Sequence, residues 1–213
     1  PRGCVRYFHV PKAGSSFAPT VWAYSCARLP FRTLELHARN LSIGSAVNLH
    51  AMHEAQRRGE CPCLLGSLDL TFHHAALRGE QDVLDAVGLF RSPVERVVSE
   101  FNYGLHAHMI RDESAMQSAV MSSNERAKQL VTFARWPGIS HAQTRMLLGH
   151  EVSAAYTPTA GEVERACHRM QRMKFVGLLE CFTESVDLFE QSFPSRYSGS
   201  EDTIHYRDTL DWA

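Results

Sequence analysis

Residues 4–20, Cys4-Val-Arg-Tyr-Phe-His-Val-Pro-Lys-Ala-Gly-Ser-Ser-Phe-Ala-Pro-Thr20, limit the fold more than any other stretch. Val5–Val10 is β-branched and aromatic, the composition of a short buried strand. Pro11-Lys12-Ala13-Gly14-Ser15-Ser16 is rich in breakers and carries one cation and two hydroxyls. From Phe17 the apolar residues Phe17, Val21 and Tyr24 recur at helical spacing, with Ser15 or Ser16 as N-cap and Pro19 in the first turn. Strand, loop and helix together gather backbone N–H groups, a helix N-terminus, Lys12 and two hydroxyls around one point. That is the makeup of an anion site, with a phosphate as natural occupant. The competing reading is an ordinary strand–helix turn. The loop is not a Walker A motif, which needs Gly-x-x-x-x-Gly-Lys-[Ser/Thr]; here Lys12 comes first and a single glycine follows.

The same unit recurs. Val83–Phe90 reads as a strand that ends at Arg91-Ser92-Pro93. Val94, Val97, Val98, Phe101 and Leu105 then form an amphipathic helical stripe, with Ser92 as N-cap and Pro93 at the first helical position. Arg91, at the strand end, can grip a phosphate through two nitrogens, or it can simply pair with Glu95. Ser99 lies two turns further on, off the apolar stripe. Thr33–Leu36, Leu64–Leu68 and Phe175–Leu179 suit further strands, and helices are expected over 45–58, after Ser122, over 140–149, after Thr159 and after Thr183. Ser122-x-x-Glu125 and Thr159-x-x-Glu162 have the capping-box pattern, and Lys174 suits a helix C-terminus. Strands alternating with helices predict an α/β protein with a mostly parallel central sheet flanked by helices. The 213 residues read as one domain, with a helical insertion at about 104–160 and a polar tail from about 192.

Composition narrows the partners. A net charge of −1 argues against a general nucleic-acid surface, which relies on excess Lys and Arg, so anion binding must be local. No apolar run approaches the ~18 residues of a membrane span, so no membrane contact is expected within this chain. The chain opens at Pro1, almost directly on a strand, and a processed domain with its targeting segment upstream is expected. Cys4, Cys26, Cys61, Cys63, Cys167 and Cys181 are too scattered for a zinc module, and disulfides are not readable from their spacing. His50 and His53 share a helical face without a third ligand. His73 and His74 follow a predicted strand and are candidate general bases; the alternative is an exposed loop. His106, His108, Arg111, Arg135 and Arg145 are candidates to meet an anionic substrate, against a more ordinary reading as surface residues.

Phe8-His-Val-Pro-Lys-Ala-Gly-Ser-Ser16 resembles the 5′-phosphosulfate loop of sulfotransferases that use 3′-phosphoadenosine-5′-phosphosulfate (PAPS), especially the carbohydrate branch that includes heparan sulfate 2-O-sulfotransferase. Leu89-Phe-Arg-Ser-Pro-Val-Glu-Arg-Val-Val-Ser-Glu-Phe101 resembles that family's 3′-phosphate segment. Gln143-Thr-Arg-Met-Leu-Leu-Gly149 and Phe175-Val-Gly-Leu-Leu-Glu180 are similar to two later family segments, in the same order. The family loop more often has glycine where Ser15 stands, and Arg91-Ser92-Pro93 replaces the commoner Arg-Asp-Pro.

The resemblance implies a P-loop-like three-layer fold and transfer of a sulfuryl group from PAPS to an acceptor hydroxyl, of a glycan or a small metabolite, leaving 3′,5′-ADP. It implies that Lys12, Ala13, Gly14, Ser15, Ser16 and Phe17 surround the 5′-phosphosulfate, that Arg91 and Ser99 hold the 3′-phosphate, and that His74 or His73 serves as base. No metal is required by such an arrangement. It also implies the Golgi lumen, as a domain cut from a membrane-anchored precursor, or else the cytoplasm. The Asn40-Leu-Ser42 sequon agrees with a secretory route. Two other classes compete: an ATP-dependent P-loop kinase, and a nucleotide-binding module without activity.

Overall fold

The structure is a computed structural model and describes residues 4–14, 17–25, 57–59, 61, 63–65, 75–103, 123–136, 138–152, 154 and 156–193. Its centre is a parallel sheet of three short strands in the order β1 (Arg6–Tyr7), β2 (Ala86–Phe90), β3 (Phe175–Leu178). Arg6 pairs with Ala86, and Val87 and Phe90 pair with Phe175 and Leu178. On the far side of β1, Val5 forms a parallel bridge with Leu64: the Val5 N–H donates to the Cys63 carbonyl at 2.9 Å and the Leu65 N–H to the Val5 carbonyl at 2.8 Å. The predicted strand at 64–68 is therefore begun here, and its later residues lie outside the described set, as does Thr33–Leu36.

All five residues of β2 are buried, as expected of a strand covered on both faces. Side-chain alternation divides the core accordingly. Val5, Tyr7, Val87, Leu89 and Phe175 point to one face, where Phe17, just before α1 (Ala18–Ser25), Val21 of that helix and Phe189 of α7 (Phe182–Ser192) meet them. Phe8, Val10, Ala86 and Phe90 point to the other, against Met146 and Leu147 of α5 (Ala142–Leu147) and Ala166 of α6 (Ala160–Gln171). Crowding fixes two glycines: a Cβ on Gly88 would lie 2.6 Å from the Phe8 carbonyl oxygen, and one on Gly177 2.5 Å from the Leu89 side chain and 2.8 Å from Ser185 Cβ. The architecture is thus an α/β arrangement of a small parallel sheet with helices.

Local differences from the sequence expectation have physical causes. Residues 83–85 belong to a helix, α2 (Glu80–Asp85), rather than to the start of β2. The Asp82 carboxylate accepts from the Arg78 and Gly79 N–H groups, both at 3.1 Å, and this nucleates the turn; Val83 still reaches the core from its helical position. Thr183 sits inside α7, whose N-cap is Cys181, because a 3₁₀ turn over Leu179–Cys181 starts the helix earlier. Lys174 lies past the end of α6; its ammonium donates to the Cys4 carbonyl at 2.7 Å and pairs with Asp85 at 3.3 Å. The box at Thr159 forms as expected, with the Glu162 N–H donating to Thr159 Oγ1 at 3.3 Å and the Thr159 N–H to Glu162 Oε2 at 2.8 Å. Ser122 lies outside the described residues, and the helix it was expected to cap, α4, spans Ser123–Ala134. Cys61 is disulfide-bonded, while Cys63, Cys167 and Cys181 are free thiols.

The largest departure concerns charge. On α3 (Pro93–Tyr103) the most buried side chains are Arg96 and Glu100, at 2% and 4% exposure, whereas Val94 of the supposed apolar stripe is 68% exposed. Arg96 and Glu100 form an ion pair one turn apart, and the second Arg96 nitrogen donates to the Ile139 carbonyl. Arg145 is fully buried rather than exposed or turned toward a substrate. Its guanidinium donates to the carbonyls of Gly138 at 2.9 Å, Tyr156 at 3.2 Å, Val152 at 3.3 Å and to that of Ser140. One side chain thus satisfies four backbone acceptors on both sides of α5, which no apolar residue can do. Arg145→Met keeps most of the volume and leaves those carbonyls without a donor. Each unsatisfied buried group costs about 1–3 kcal/mol, so the expected loss is at least about 3 kcal/mol, or roughly 6–12 °C in Tm for a chain of this size. Thermal unfolding followed by circular dichroism checks this; a change under 2 °C contradicts the role given to Arg145.

Candidate anion-binding site

The site lies beyond the C-terminal ends of β1 and β2, where open parallel sheets place ligands. After β1 the chain turns sharply. Lys12 adopts φ +61° and Gly14 φ +91°, both left-handed. Glycine is required at 14: a Cβ there would be strained and would lie 2.9 Å from Leu89 Cδ1 and 3.0 Å from Leu179 Cδ1. The turn is closed by three hydrogen bonds. The Ala13 N–H donates to the Val10 carbonyl at 3.1 Å, and the Gly14 carbonyl accepts from the Phe17 N–H at 3.0 Å and the Tyr7 hydroxyl at 3.2 Å. Burial pushes the Tyr7 phenol well above its ordinary range, so it remains a donor at any working pH.

After β2, Arg91 is fixed through its backbone. Its N–H donates to Gln143 Oε1 at 3.2 Å and its carbonyl accepts from Gln143 Nε2 at 3.0 Å. The next N–H, of Ser92, donates to Glu180 Oε1 at 2.7 Å. The Arg96 N–H donates to the Ser92 carbonyl at 2.9 Å, which makes Ser92 the N-cap of α3 as predicted. The Arg91 side chain reaches back toward the first loop, with Nη1 3.4 Å from the Lys12 carbonyl and Nη2 3.8 Å from the Glu95 carboxylate.

Lys12, Arg91, Glu95, Val98, Ser99 and Asn102 line one cleft of about 430 Å³. Its size suits a small organic ligand, and its lining of two cations against one carboxylate suits an anion. The Lys12 ammonium is held below its usual value, first by burial and further by the positive field of Arg91, with the Glu100 carboxylate opposing both. Burial raises the Glu100 carboxyl, while Arg96 and Lys12 pull it down. A phosphate entering the cleft meets a cation already partly stripped of water, where attraction is stronger than at an open surface.

Lys12, Arg91 and Ser99, drawn from two distant segments, are thus gathered at one cleft. Gly14 shapes the loop. Ala13 and Phe17 play another part: the Ala13 N–H is taken by Val10, the Phe17 N–H by Gly14, and both side chains are buried. Ser15, Ser16, His73 and His74 lie outside the described residues, as do His50, His53, His106, His108 and Arg111. Asn102 was not singled out from sequence, and Glu95 only as an ion-pair partner for Arg91. Their signal was their spacing from Ser99, one turn to either side on α3.

Comparison with protein-family models, with characterised proteins and with solved structures finds no match to this chain.

Because the ammonium is the charged form, affinity for inorganic pyrophosphate is expected to fall as pH rises through the lowered Lys12 value, beginning below the 10.5 of an ordinary lysine. Lys12→Arg, which stays charged, flattens that dependence. Calorimetric titration with pyrophosphate from pH 7 to pH 10 reads both effects. Identical profiles for the two proteins exclude Lys12 as the titrating contact.

Proposed function

We propose that the chain is a PAPS-dependent sulfotransferase that moves a sulfuryl group to an acceptor hydroxyl, of a carbohydrate or a small metabolite, on a P-loop-like scaffold. The observation that supports this best is the gathering of Lys12, Arg91 and Ser99 at one cleft beside the Gly14 turn. The two remaining segments of the resemblance add support from their position: Gln143 and Glu180, one from each, hold the backbone of Arg91 and Ser92.

Sulfuryl transfer relies on in-line positioning and on charge stabilisation more than on covalent catalysis. The acceptor oxygen bonds to sulfur, the bond from sulfur to the bridging phosphate oxygen breaks, and the acceptor's proton passes to a base. Negative charge grows on the bridging oxygen and the departing 5′-phosphate. In this reading the Lys12 ammonium meets that charge, and Arg91 with Ser99 holds the 3′-phosphate. His74 or His73 remains the proposed base, and a Golgi-lumen enzyme released from a membrane anchor the proposed setting.

Calorimetry with 3′,5′-ADP, ADP and ATP, with and without Mg²⁺, tests the donor site. Tight, metal-independent binding of 3′,5′-ADP is expected, weakened about tenfold to a hundredfold by Arg91→Ala, as for loss of a charged hydrogen bond. A preference for Mg²⁺·ATP, or no nucleotide binding, overturns the reading.

A further inference from the structure

The cleft wall formed by α3 holds a residue whose hydrogen-bonding sense is set from outside the cleft. Asn102 lines the cleft, and Arg126 Nη2 of α4 donates to its Oδ1 at 2.8 Å. A guanidinium has donors only, so the carboxamide oxygen must face Arg126. Arg126 is itself steadied from α3, with its guanidinium 5.9 Å from the centre of the Phe101 ring. The amide nitrogen, with its two N–H donors, is what Asn102 retains for another partner. An unconstrained asparagine offers a ligand either an acceptor or a donor; this one is biased to donate.

Position along the helix says what it would donate to. Ser99 and Asn102 are three residues apart, about 4.5 Å of helical rise, so they are neighbours along the cleft. Arg91 stands before the helix and Lys12 on the facing loop, so the anion is drawn toward that end. Asn102 lies one step further, beyond Ser99. We infer that Asn102, oriented by Arg126, is a specificity-determining residue that donates to an uncharged acceptor, a ring nitrogen or sugar oxygen, on the nucleoside part of a phosphate-bearing ligand. This rests on the reading of the cleft as a nucleotide site, though not on which nucleotide occupies it.

The test is calorimetric titration of the wild-type chain, Asn102→Ala, Asn102→Asp and Arg126→Ala with 3′,5′-ADP, Mg²⁺·ATP and inorganic pyrophosphate. Asn102→Ala is expected to weaken the preferred nucleotide about fivefold, the effect of one neutral hydrogen bond, and to leave pyrophosphate unchanged. Asn102→Asp keeps the acceptor for Arg126 but loses the donors, and weakens the nucleotide at least as much. Arg126→Ala acts in the same direction, and adding it to Asn102→Ala produces no further loss for the nucleotide. Equal weakening of nucleotide and pyrophosphate by Asn102→Ala, or no change in either, overturns the assignment. If the wild type prefers Mg²⁺·ATP, the sulfotransferase reading falls while the ATP-to-pyrophosphate comparison still decides Asn102. If it binds no nucleotide, both fall.

Discussion

A strand that ends at a functional site leaves backbone groups that no further strand residue will satisfy. In this chain Gln143 supplies the missing partner. Its carboxamide donates to the Arg91 carbonyl and accepts from the Arg91 N–H, as a neighbouring peptide unit would. The position of the guanidinium beyond it depends on that pair of bonds. Gln143 in turn depends on α5, a helix of six residues, far too short to be stable alone. What holds α5 is Arg145, two residues on, whose buried guanidinium ties both flanks of the helix together. The cleft therefore rests on a chain of polar contacts rather than on apolar packing alone. Carbonyl groups satisfy Arg145, α5 is fixed by it, Gln143 is presented, and Arg91 is aimed.

The same logic governs α3. Its buried side holds the Arg96–Glu100 pair, and its cleft side presents Glu95, Ser99 and Asn102. A helix that buries charge and exposes Val94 inverts the usual arrangement. The pair is tolerated because each ion has its counter-ion and Arg96 has a carbonyl as well; removing one partner would strand the other, which is where such pairs show their cost. Glu100 also lends negative field to Lys12, so the buried pair and the cleft share one electrostatic environment.

Much of this was legible in the sequence. β2 and β3 follow from apolar runs bounded by turn residues, and α6 from its capping box and periodicity. Lys12 and Arg91 were singled out because a cation at a strand end, before a helix, has a physical meaning wherever it occurs, whereas Ser99 was singled out by the resemblance of its segment. What was missed was missed for reasons of the same kind. Periodicity ranks residues by apolarity, so it cannot see a buried arginine whose partners are carbonyls scattered over 138–156. Nor can it see that Val83 enters the core from a helix, since a short apolar run fits either state until Asp82 closes a turn beneath it. Asn102 was hidden because its role is set by Arg126, twenty-four residues away and across a helix–helix contact. The proposed base belongs to a stretch outside the described residues, so the chemistry of the acceptor side rests on sequence alone.

Lys12 is unfavourable twice over. Its backbone is left-handed, which costs a non-glycine residue roughly 1–2 kcal/mol, and burial makes its charged form less stable in the fold than in the unfolded chain. A library of this chain selected for heat resistance alone would drift away from lysine at that position early, through variants that fold better and hold anions worse. Thermostability and function would then separate at a single residue, and a stabilised form of this protein is best obtained from screens that keep the ligand present.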